Sequence, residues 1–212
     1  MDIKTVDHLL RTTRSVRKRL DLTRPVEPEI IKECLEIAIQ APSGSDRQGW
    51  HFIVVTDEAK RAAIGALYKK SFIIYRGGDE TAIHVERQTN KLVDSAMYLA
   101  EHMHEVPVLI IACYEGRPQS PEPFAQAGFY GSILPAAWSL MLALRARGLG
   151  SAWTTLHLRY EKEVADILGI PDTISQCVLL PVAYYKGEDF RAAPRQPAEQ
   201  VTYWDEWGKT SR

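Results

Sequence analysis

The sequence has little cysteine, and what it has is not arranged to bind metal or build a disulfide framework. Its 212 residues include three scattered cysteines, Cys34, Cys113 and Cys177, and no Cys-x-x-Cys pair. An odd, dispersed set argues against both a disulfide scaffold and a zinc ribbon. It fits a reducing compartment. We therefore predict no bound metal and a cytoplasmic location.

Long apolar runs and net charge are also scarce. The opening "MDIKTVDHLL" alternates charged and apolar side chains, so no secretory signal is visible. The most apolar segment, 133–144, contains Pro135 and Ser139 and is well short of the roughly 20 residues that a membrane helix needs. With 26 Lys plus Arg against 27 Asp plus Glu, the chain has no bulk attraction for polyanions. We expect no membrane and no nucleic-acid partner.

What remains is the composition of one globular domain spanning residues 1–212, with 45% hydrophobic residues. A chain of this length buries roughly 70% of its unfolded surface. Residues 71–90 lack a clean period and are predicted to form a mobile excursion of the kind that supplies active-site lids, and 186–212 form a polar, aromatic C-terminal arm. The pattern predicts helices at about 2–12, 28–40, 57–68, 86–105, 124–147 and 161–168, and buried strands at 51–55, 107–114 and 177–185.

Basic charge is concentrated in one place, "RTTRSVRKRL" at residues 11–20. Arg14, Ser15 and Arg17 offer two guanidinium forks and a hydroxyl within four residues, which suits a phosphate. Such charge-assisted bonds contribute roughly 1.5–3 kcal/mol each. The same composition also describes an ordinary solvated turn, so this segment alone does not decide between the two.

The other motifs argue against three common functions: dinucleotide binding by a Rossmann fold, serine hydrolysis and nucleic-acid binding. "GLG" at 148–150 lacks the third glycine of a dinucleotide fingerprint and precedes a predicted strand instead of following one. Ser43 and Ser45 lie in no Gly-x-Ser-x-Gly elbow, so serine hydrolysis is unsupported. A binding module that grips nucleic acid through residues 11–20 would show steep salt dependence, and the near-zero net charge argues against it.

Three stretches, taken in their order along the chain, identify a protein family more specifically than any of these motifs alone: "TRSVRKRLDLTRPVEPEIIKECLEIAIQAPSGSDRQGWHFIVV", "ARGLGSAWTT" and "LGIP…LLPVAYYKGEDFRAAPRQPAEQV". Together they resemble the nitroreductase family of FMN-dependent oxidoreductases over nearly the whole chain. The likeness is closest to the bacterial "TTRSVRKRL" type, and the chain is also similar to the iodotyrosine deiodinase branch. The resemblance implies an α+β fold with a mixed sheet flanked by helices. It also implies an intertwined homodimer whose C-terminal extension lies on the partner.

By that resemblance, two FMN sites lie at the subunit interface. Arg14 would be directed at the phosphate and Arg17 at the pyrimidine end of the ring, while a loop from the other subunit approaches the flavin. Thr155 is a candidate hydrogen-bond donor to flavin N5, and Arg191 is a reserve for the second phosphate arginine. The implied cofactor-binding residues are Arg14, Ser15, Val16, Arg17, Pro42, Ser43, Gly44, Gln48, Trp153, Thr154, Thr155 and Arg195.

The implied chemistry is ping-pong transfer of hydride from NADH or NADPH, through flavin N5, to a small aromatic acceptor such as a nitroaromatic or quinone. The protein then supplies orientation and tuning, and no side chain need act as a general acid. Two alternatives stay open: a reductive dehalogenase and a flavin-binding protein without turnover. For dehalogenation, residues 71–90 offer Tyr75, Glu80 and Glu86 without the full set of charges needed to grip an amino-acid zwitterion.

Overall fold

A computed structural model of the chain describes residues 2–77 and 91–210. The chain divides into two compact units. The larger consists of Arg14–Glu188, and the smaller combines Met1–Thr13 with Asp189–Arg212. All the strands described below belong to the larger unit.

The larger unit is built on a four-stranded sheet: β1 (Trp50–Val55), β2 (Val108–Glu115), β3 (Leu149–Ser151) and β4 (Ile174–Tyr184). The strand order is β1-β2-β4-β3, and every neighbouring pair is antiparallel. The three strands predicted from the sequence are thus present, close to their predicted limits. The prediction of a mixed sheet is wrong for the described strands, whose pairing is antiparallel throughout.

The connections explain this difference. A single helix joins β2 to β3, and both strands run antiparallel to β4, so β2 and β3 point the same way, as a one-helix crossover requires. However, β4 lies between them and hydrogen-bonds to both. The two strands of like direction are therefore not neighbours, and they form no parallel ladder.

The described residues of the larger unit also form five helices: α2 (Pro28–Ala38), α3 (Glu58–Tyr75), α4 (Lys91–His102), α5 (Pro123–Ala146) and α6 (Glu161–Leu168). Their ends follow simple capping chemistry. Pro28 opens α2, where a missing N–H costs nothing, and the Asp57 carboxylate accepts from the Lys60 amide at the start of α3. Gly169 ends α6 in the left-handed conformation.

Helix α3 is longer than the sequence pattern indicates. It continues to Tyr75, because Ser71, Phe72 and Ile73 are buried in the core and their burial stabilises a further helical turn. The prediction that 71–90 is an irregular excursion is therefore wrong for residues 71–75. The segment 78–90, on which the rest of that prediction falls, lies outside the described residues.

The long helix α5 forms the centre of the core. Leu140 and Leu144 are fully buried and join a cluster that includes Ile110 of β2 and Leu180 of β4. By length and composition α5 is apolar enough to cross a membrane, but half of its most apolar window is buried inside the fold, as in a core helix. Pro135 lies within the helix without ending it.

The smaller unit contains α1 (Ile3–Thr12) and the C-terminal arm. The Asp2 carboxylate caps α1 by accepting from the Lys4 amide at 3.1 Å, and His8 pairs with Asp189. Further along the arm, Tyr203 and Trp207 stack with ring centroids 4.6 Å apart. That this arm lies on a second subunit remains a prediction.

Candidate functional site

The arginine segment, residues 14–20, is anchored on strand β3 by two apolar side chains. Val16 and Leu20 are buried, and the Val16 amide donates to the Ser151 carbonyl at 2.8 Å. A Cβ on Gly150 would lie 3.0 Å from the Val16 Cβ and 3.1 Å from Leu20 Cδ2, so the segment packs directly on the glycine backbone. Between the two anchors, Lys18 is exposed, whereas Arg17 and Arg19 are half-buried.

The cations of this segment have different partners. Lys18 forms an ion pair with Asp94. The Arg19 guanidinium donates from Nε to the Lys186 carbonyl at 2.7 Å, and a second nitrogen donates to the Glu188 carbonyl. The guanidinium of Arg17, by contrast, has no hydrogen bond or ion pair with any residue that the structure describes, although the Arg17 carbonyl accepts from the Leu20 amide at 3.1 Å. It is a half-buried cation without a protein counter-ion there.

Arg17 interacts electrostatically with a residue that sequence reasoning missed, Tyr68 of α3. Burial lowers the pKa of Arg17, and the nearby Tyr68 opposes that shift. Burial raises the pKa of Tyr68 to about 12, with Arg17 and the Thr154 hydroxyl acting in the opposite direction. The phenol is therefore neutral at ordinary pH. In the sequence Tyr68 is one buried aromatic on a helix face, and no pattern marks it.

The two predicted threonines differ in what they can still bind. The Thr154 hydroxyl donates to the Leu179 carbonyl at 2.6 Å, and the backbones of these two residues exchange hydrogen bonds of 3.1 and 2.9 Å. The hydroxyl hydrogen and the backbone N–H of Thr154 are thus both used in hydrogen bonds to Leu179 of β4. Thr155 is exposed at the start of a 3₁₀ turn (Leu156–Tyr160), and Trp153 is half-buried against the core. Of the pair, Thr155 alone remains a candidate donor to a ligand.

The predicted loop at residues 42–48 is held against α5. The Gly44 amide donates to Ser132 Oγ at 2.9 Å, and the indole nitrogen of Trp50 donates to the Ser132 carbonyl at 2.7 Å. Pro42 is exposed and Ser43 half-buried. Ser132, which ties the loop down, was not singled out in the sequence, where it is an isolated serine in an apolar helix.

Three residues of this loop adopt left-handed backbone conformations: Ser45 (φ 54°), Asp46 (φ 51°) and Gln48 (φ 51°). Such conformations cost about 1–3 kcal/mol each for residues other than glycine, and they cluster at functional sites. The Gln48 amide is fixed by Ser43 Oγ at 3.1 Å and its side chain by Asp46 at 2.9 Å. The loop is therefore built in a specific, strained form.

Gly44 opens on a cavity of about 580 Å³ between this loop, the end of β2 and the start of α5. A cavity of this size suits a small ligand. None of the described lining residues belongs to the arginine segment or to residues 153–155. The lining includes Gly44, Arg47, Tyr114, Arg117, Phe124 and Phe129.

The predicted site residues of the larger unit therefore fall into two groups at opposite edges of the sheet. The loop leads into β1, one edge strand, while the arginine segment packs on β3, the other. Neighbouring strands lie about 4.8 Å apart, so three spacings separate the two edges by about 14 Å. The sheet of a single chain therefore keeps the two groups apart.

Arg195 belongs to the smaller unit, where it is exposed and donates to the Pro194 carbonyl at 3.0 Å. Its pairing with Arg14 on one phosphate remains a prediction, as does the reserve role of Arg191. Within residues 2–77 and 91–210, no group of three or more His, Cys, Asp or Glu is arranged to hold a metal ion.

A family model described as the nitroreductase family matches residues 10–184, and the chain therefore belongs to that family. It is 29% identical, over an alignment of 218 positions, to an NADH dehydrogenase of Thermus thermophilus, and the alignment covers 96% of each chain. It is 27% identical over 186 residues to an iodotyrosine deiodinase of Thermotoga neapolitana, covering 86% of this chain and 89% of that protein.

Two solved structures show the same fold. The FMN and NADPH-dependent nitroreductase NfnB from Sphigopyxis sp. strain HMH superposes with a TM-score of 0.68 at 23% identity, covering 95% of this chain and 99% of that one. Oxidized iodotyrosine deiodinase bound to FMN and 3-iodo-L-tyrosine gives a TM-score of 0.68 at 24% identity, covering 89% and 94%. The α+β nitroreductase fold is thus confirmed.

Proposed function

We propose that this protein is an FMN-dependent oxidoreductase that takes electrons from NADH or NADPH and passes them to a small aromatic acceptor, a nitroaromatic or a quinone. The observation that carries the proposal is Arg17, a half-buried guanidinium with no counter-ion among the described residues, in a segment that packs on β3. A cation placed in this way needs an anionic ligand, and membership of the family supports FMN as that ligand.

The donors present suit a flavin mononucleotide. Arg14 and Ser15 offer charge-assisted and hydroxyl hydrogen bonds to a phosphate, and Arg17 offers a cation to the pyrimidine edge of the ring. Gly44 lets a backbone come close to a ligand where a side chain would not. When bound, FMN supplies the two-electron exchange between nicotinamide and acceptor, while the protein binds, orients and tunes it.

The active form in this proposal is a homodimer. Because the two groups of predicted site residues lie at opposite edges of one sheet, a second chain is needed to bring a loop at 42–48 to an arginine segment. Helices α2 and α5 pack together, and the apolar side chains exposed on them and at the residue that ends α2 would be covered by a second copy: Ile37 (43%), Ile39 (42%) and Trp138 (40%). The C-terminal arm then extends over the partner.

The test is cofactor binding and reduction by the purified protein. We expect a yellow protein with about one FMN per chain that bleaches under anaerobic conditions with NADH or NADPH. Arg17→Ala should weaken FMN binding at least about tenfold, since bonds to charged groups contribute roughly 1.5–3 kcal/mol. Lys18→Ala is the matched control, because Lys18 already has Asp94 as its partner. A colourless protein that does not take up added FMN would contradict the proposal.

The phosphate site needs its own variant. Replacing Arg14 and Arg195 together with alanine should abolish cofactor retention if both guanidinium groups neutralise one phosphate. Undiminished occupancy in a folded double variant would remove these two residues from the site.

A second candidate, reductive dehalogenation, is favoured by the likeness to iodotyrosine deiodinases. Glu80 and Glu86, which would take part in gripping an amino-acid substrate, lie outside the described residues. Turnover of nitroaromatics, quinones and halotyrosines by the reduced enzyme separates the two functions. A protein that binds FMN and turns over none of them is a flavin-binding protein without catalytic turnover.

A further inference from the structure

We infer that the cavity beside Gly44 receives an aromatic ligand carrying a carboxylate, and that Arg47 selects this ligand by its charge. The inference rests on the proposed function in one respect: the ligand is identified as the electron acceptor, because Gly44 belongs to the loop proposed to approach the flavin. It goes beyond that proposal in naming the chemical class of the acceptor and a residue that determines it.

Aromatic side chains form the apolar part of the lining. The rings of Tyr114 and Phe129 meet edge to face, with centroids 5.2 Å apart and an interplanar angle of 87°. Tyr114 is buried and Phe129 half-buried, so these two rings form a fixed wall. Phe124, in the first turn of α5, lines the same cavity and is 72% exposed. Its ring is therefore available to pack against the ring of a ligand, as aromatic pairs favour.

Glycines leave room for a flat ligand beside these rings. Gly128 is exposed on α5, and a Cβ added to it would meet no atom within 4 Å outside the backbone of its own helix. A planar ring can therefore approach this part of α5 without displacing a side chain. The cavity volume of about 580 Å³ lies within the range of small-molecule sites, roughly 300–1,000 Å³.

Arg47 supplies a cation with no protein partner in the described ranges. It lies in the loop at 42–48 and lines the cavity, and its guanidinium has no hydrogen bond or ion pair with any residue of 2–77 or 91–210. Its backbone is fixed, because the Arg47 amide donates to the Gly44 carbonyl at 3.3 Å. The position of this charge beside the cavity is thus set by the loop.

Arg117, just after β2, is a second lining arginine whose charge is partly neutralised. Its Nη1 donates to Glu161 Oε1 at 2.7 Å, and the same carboxylate oxygen accepts from the Gln176 amide at 3.2 Å. Among the described lining residues there is one carboxylate, Glu115, against the two guanidinium groups. An anionic ligand is therefore favoured over a cationic one, and Arg47 is the cation left to bind it.

A carboxylate matches a guanidinium in shape as well as charge, since the planar fork donates two parallel hydrogen bonds to its two oxygens. This gives a pair of probes that separate charge from shape. 4-Nitrobenzoate and 4-nitrobenzamide have the same ring and nitro group and nearly the same outline. The first is anionic at neutral pH and the second is neutral.

The experiment is calorimetric titration of the oxidised, FMN-loaded protein with each probe, without NADH or NADPH, so that no turnover occurs. We expect 4-nitrobenzoate to bind more tightly than the amide. Arg47→Gln should weaken 4-nitrobenzoate about three- to tenfold, the range for one hydrogen bond to a partly solvated charge, and leave the amide unchanged. Lys60→Gln is the matched control: it removes one exposed positive charge near the start of α3, beyond the other end of β1, and should change neither affinity.

Two further measurements test the location and the electrostatic origin of the effect. Phe124→Ala should weaken both probes alike, by about threefold, because the ring they share loses an aromatic contact. Raising the salt concentration from about 20 to about 300 mM should reduce the preference of the wild-type protein for 4-nitrobenzoate, since an exposed charge pair is screened.

The inference is overturned if the wild-type protein binds the two probes equally, or if Arg47→Gln weakens the amide as much as the acid. A protein that reduces nitroaromatics but shows no preference for the acid would retain the proposed function and lose this inference. A protein that binds no FMN would contradict the proposed function itself, and the same titrations would still test the cavity, because its described lining comes from one chain.

Discussion

Val16 packs closely against Gly150: a Cβ at that position would lie 3.0 Å from the Val16 Cβ and would crowd it. Gly150 lies in β3, and the same contact fixes the segment that carries Arg14 and Arg17. The geometry of the cation site thus depends on the absence of a side chain on the strand beneath it.

Gly150→Ala should therefore destabilise the fold and weaken FMN binding together. Overpacking of this kind costs typically about 1–3 kcal/mol. Urea unfolding measures the stability, and fluorescence titration measures FMN affinity. Gly131→Ala is the control, because it lies in α5 with no atom within 4 Å of the added methyl group. If Gly150→Ala changed neither quantity, the docking of the segment on β3 would be wrong.

The loop at 42–48 depends in the same way on a single hydroxyl. Ser132 Oγ accepts from the Gly44 amide at 2.9 Å and donates to the Gly128 carbonyl at 2.8 Å. Ser132→Ala should release the loop at a cost of about 1 kcal/mol, the usual net value of such a bond. We expect faster amide hydrogen exchange confined to residues 43–48. Ser139→Ala, on the same helix, should leave their exchange unchanged, and an equal change in both variants would exclude a specific tether.

The elements that the sequence predicted best are those whose signal is local. Strand β2 lies within a residue of its predicted limits because its alternate residues are buried on both faces, which gives a continuous apolar run. Helix α3 was predicted too short, since the burial of Ser71 depends on packing with segments far along the chain. The pairing of β4 between β2 and β3 likewise follows from packing and has no local sequence signal.

The candidate site likewise combines features that have a local sequence signal with features that depend on residues far along the chain. The arginine segment stood out by composition, but which of its cations is left for a ligand depends on partners far away. Asp94 pairs with Lys18 across 76 positions of sequence, and the Glu188 carbonyl holds Arg19 across 169. Tyr68 was missed for the same reason, since only the fold makes it interact electrostatically with Arg17.

Trp138 provides a test of the proposed dimer. It is 40% exposed on α5, a large apolar area for a residue on a core helix. Trp138→Arg should convert a dimer to a monomer and lower FMN affinity, because each complete site would need two chains. Light scattering after size exclusion gives the mass. Leu92→Arg, on α4 and 65% exposed, is the control and should stay dimeric. A dimer that survives Trp138→Arg would place the interface elsewhere.

His157 makes stability depend on pH. It is fully buried, neither ring nitrogen has a hydrogen-bond partner among the described residues, and burial lowers the pKa of His157 from 6.5 to about 3. The unfolded chain therefore binds a proton below about pH 6.5, whereas the folded chain does not until about pH 3. The stabilisation is full above pH 6.5 and is lost as the pH falls from there towards 3, by about 2 kcal/mol between pH 7 and pH 5. His157→Leu should flatten this part of the profile in urea unfolding. His51→Gln, an exposed imidazole removed while His157 is kept, should retain the slope, and a His157→Leu protein with the wild-type slope would show that another group is responsible.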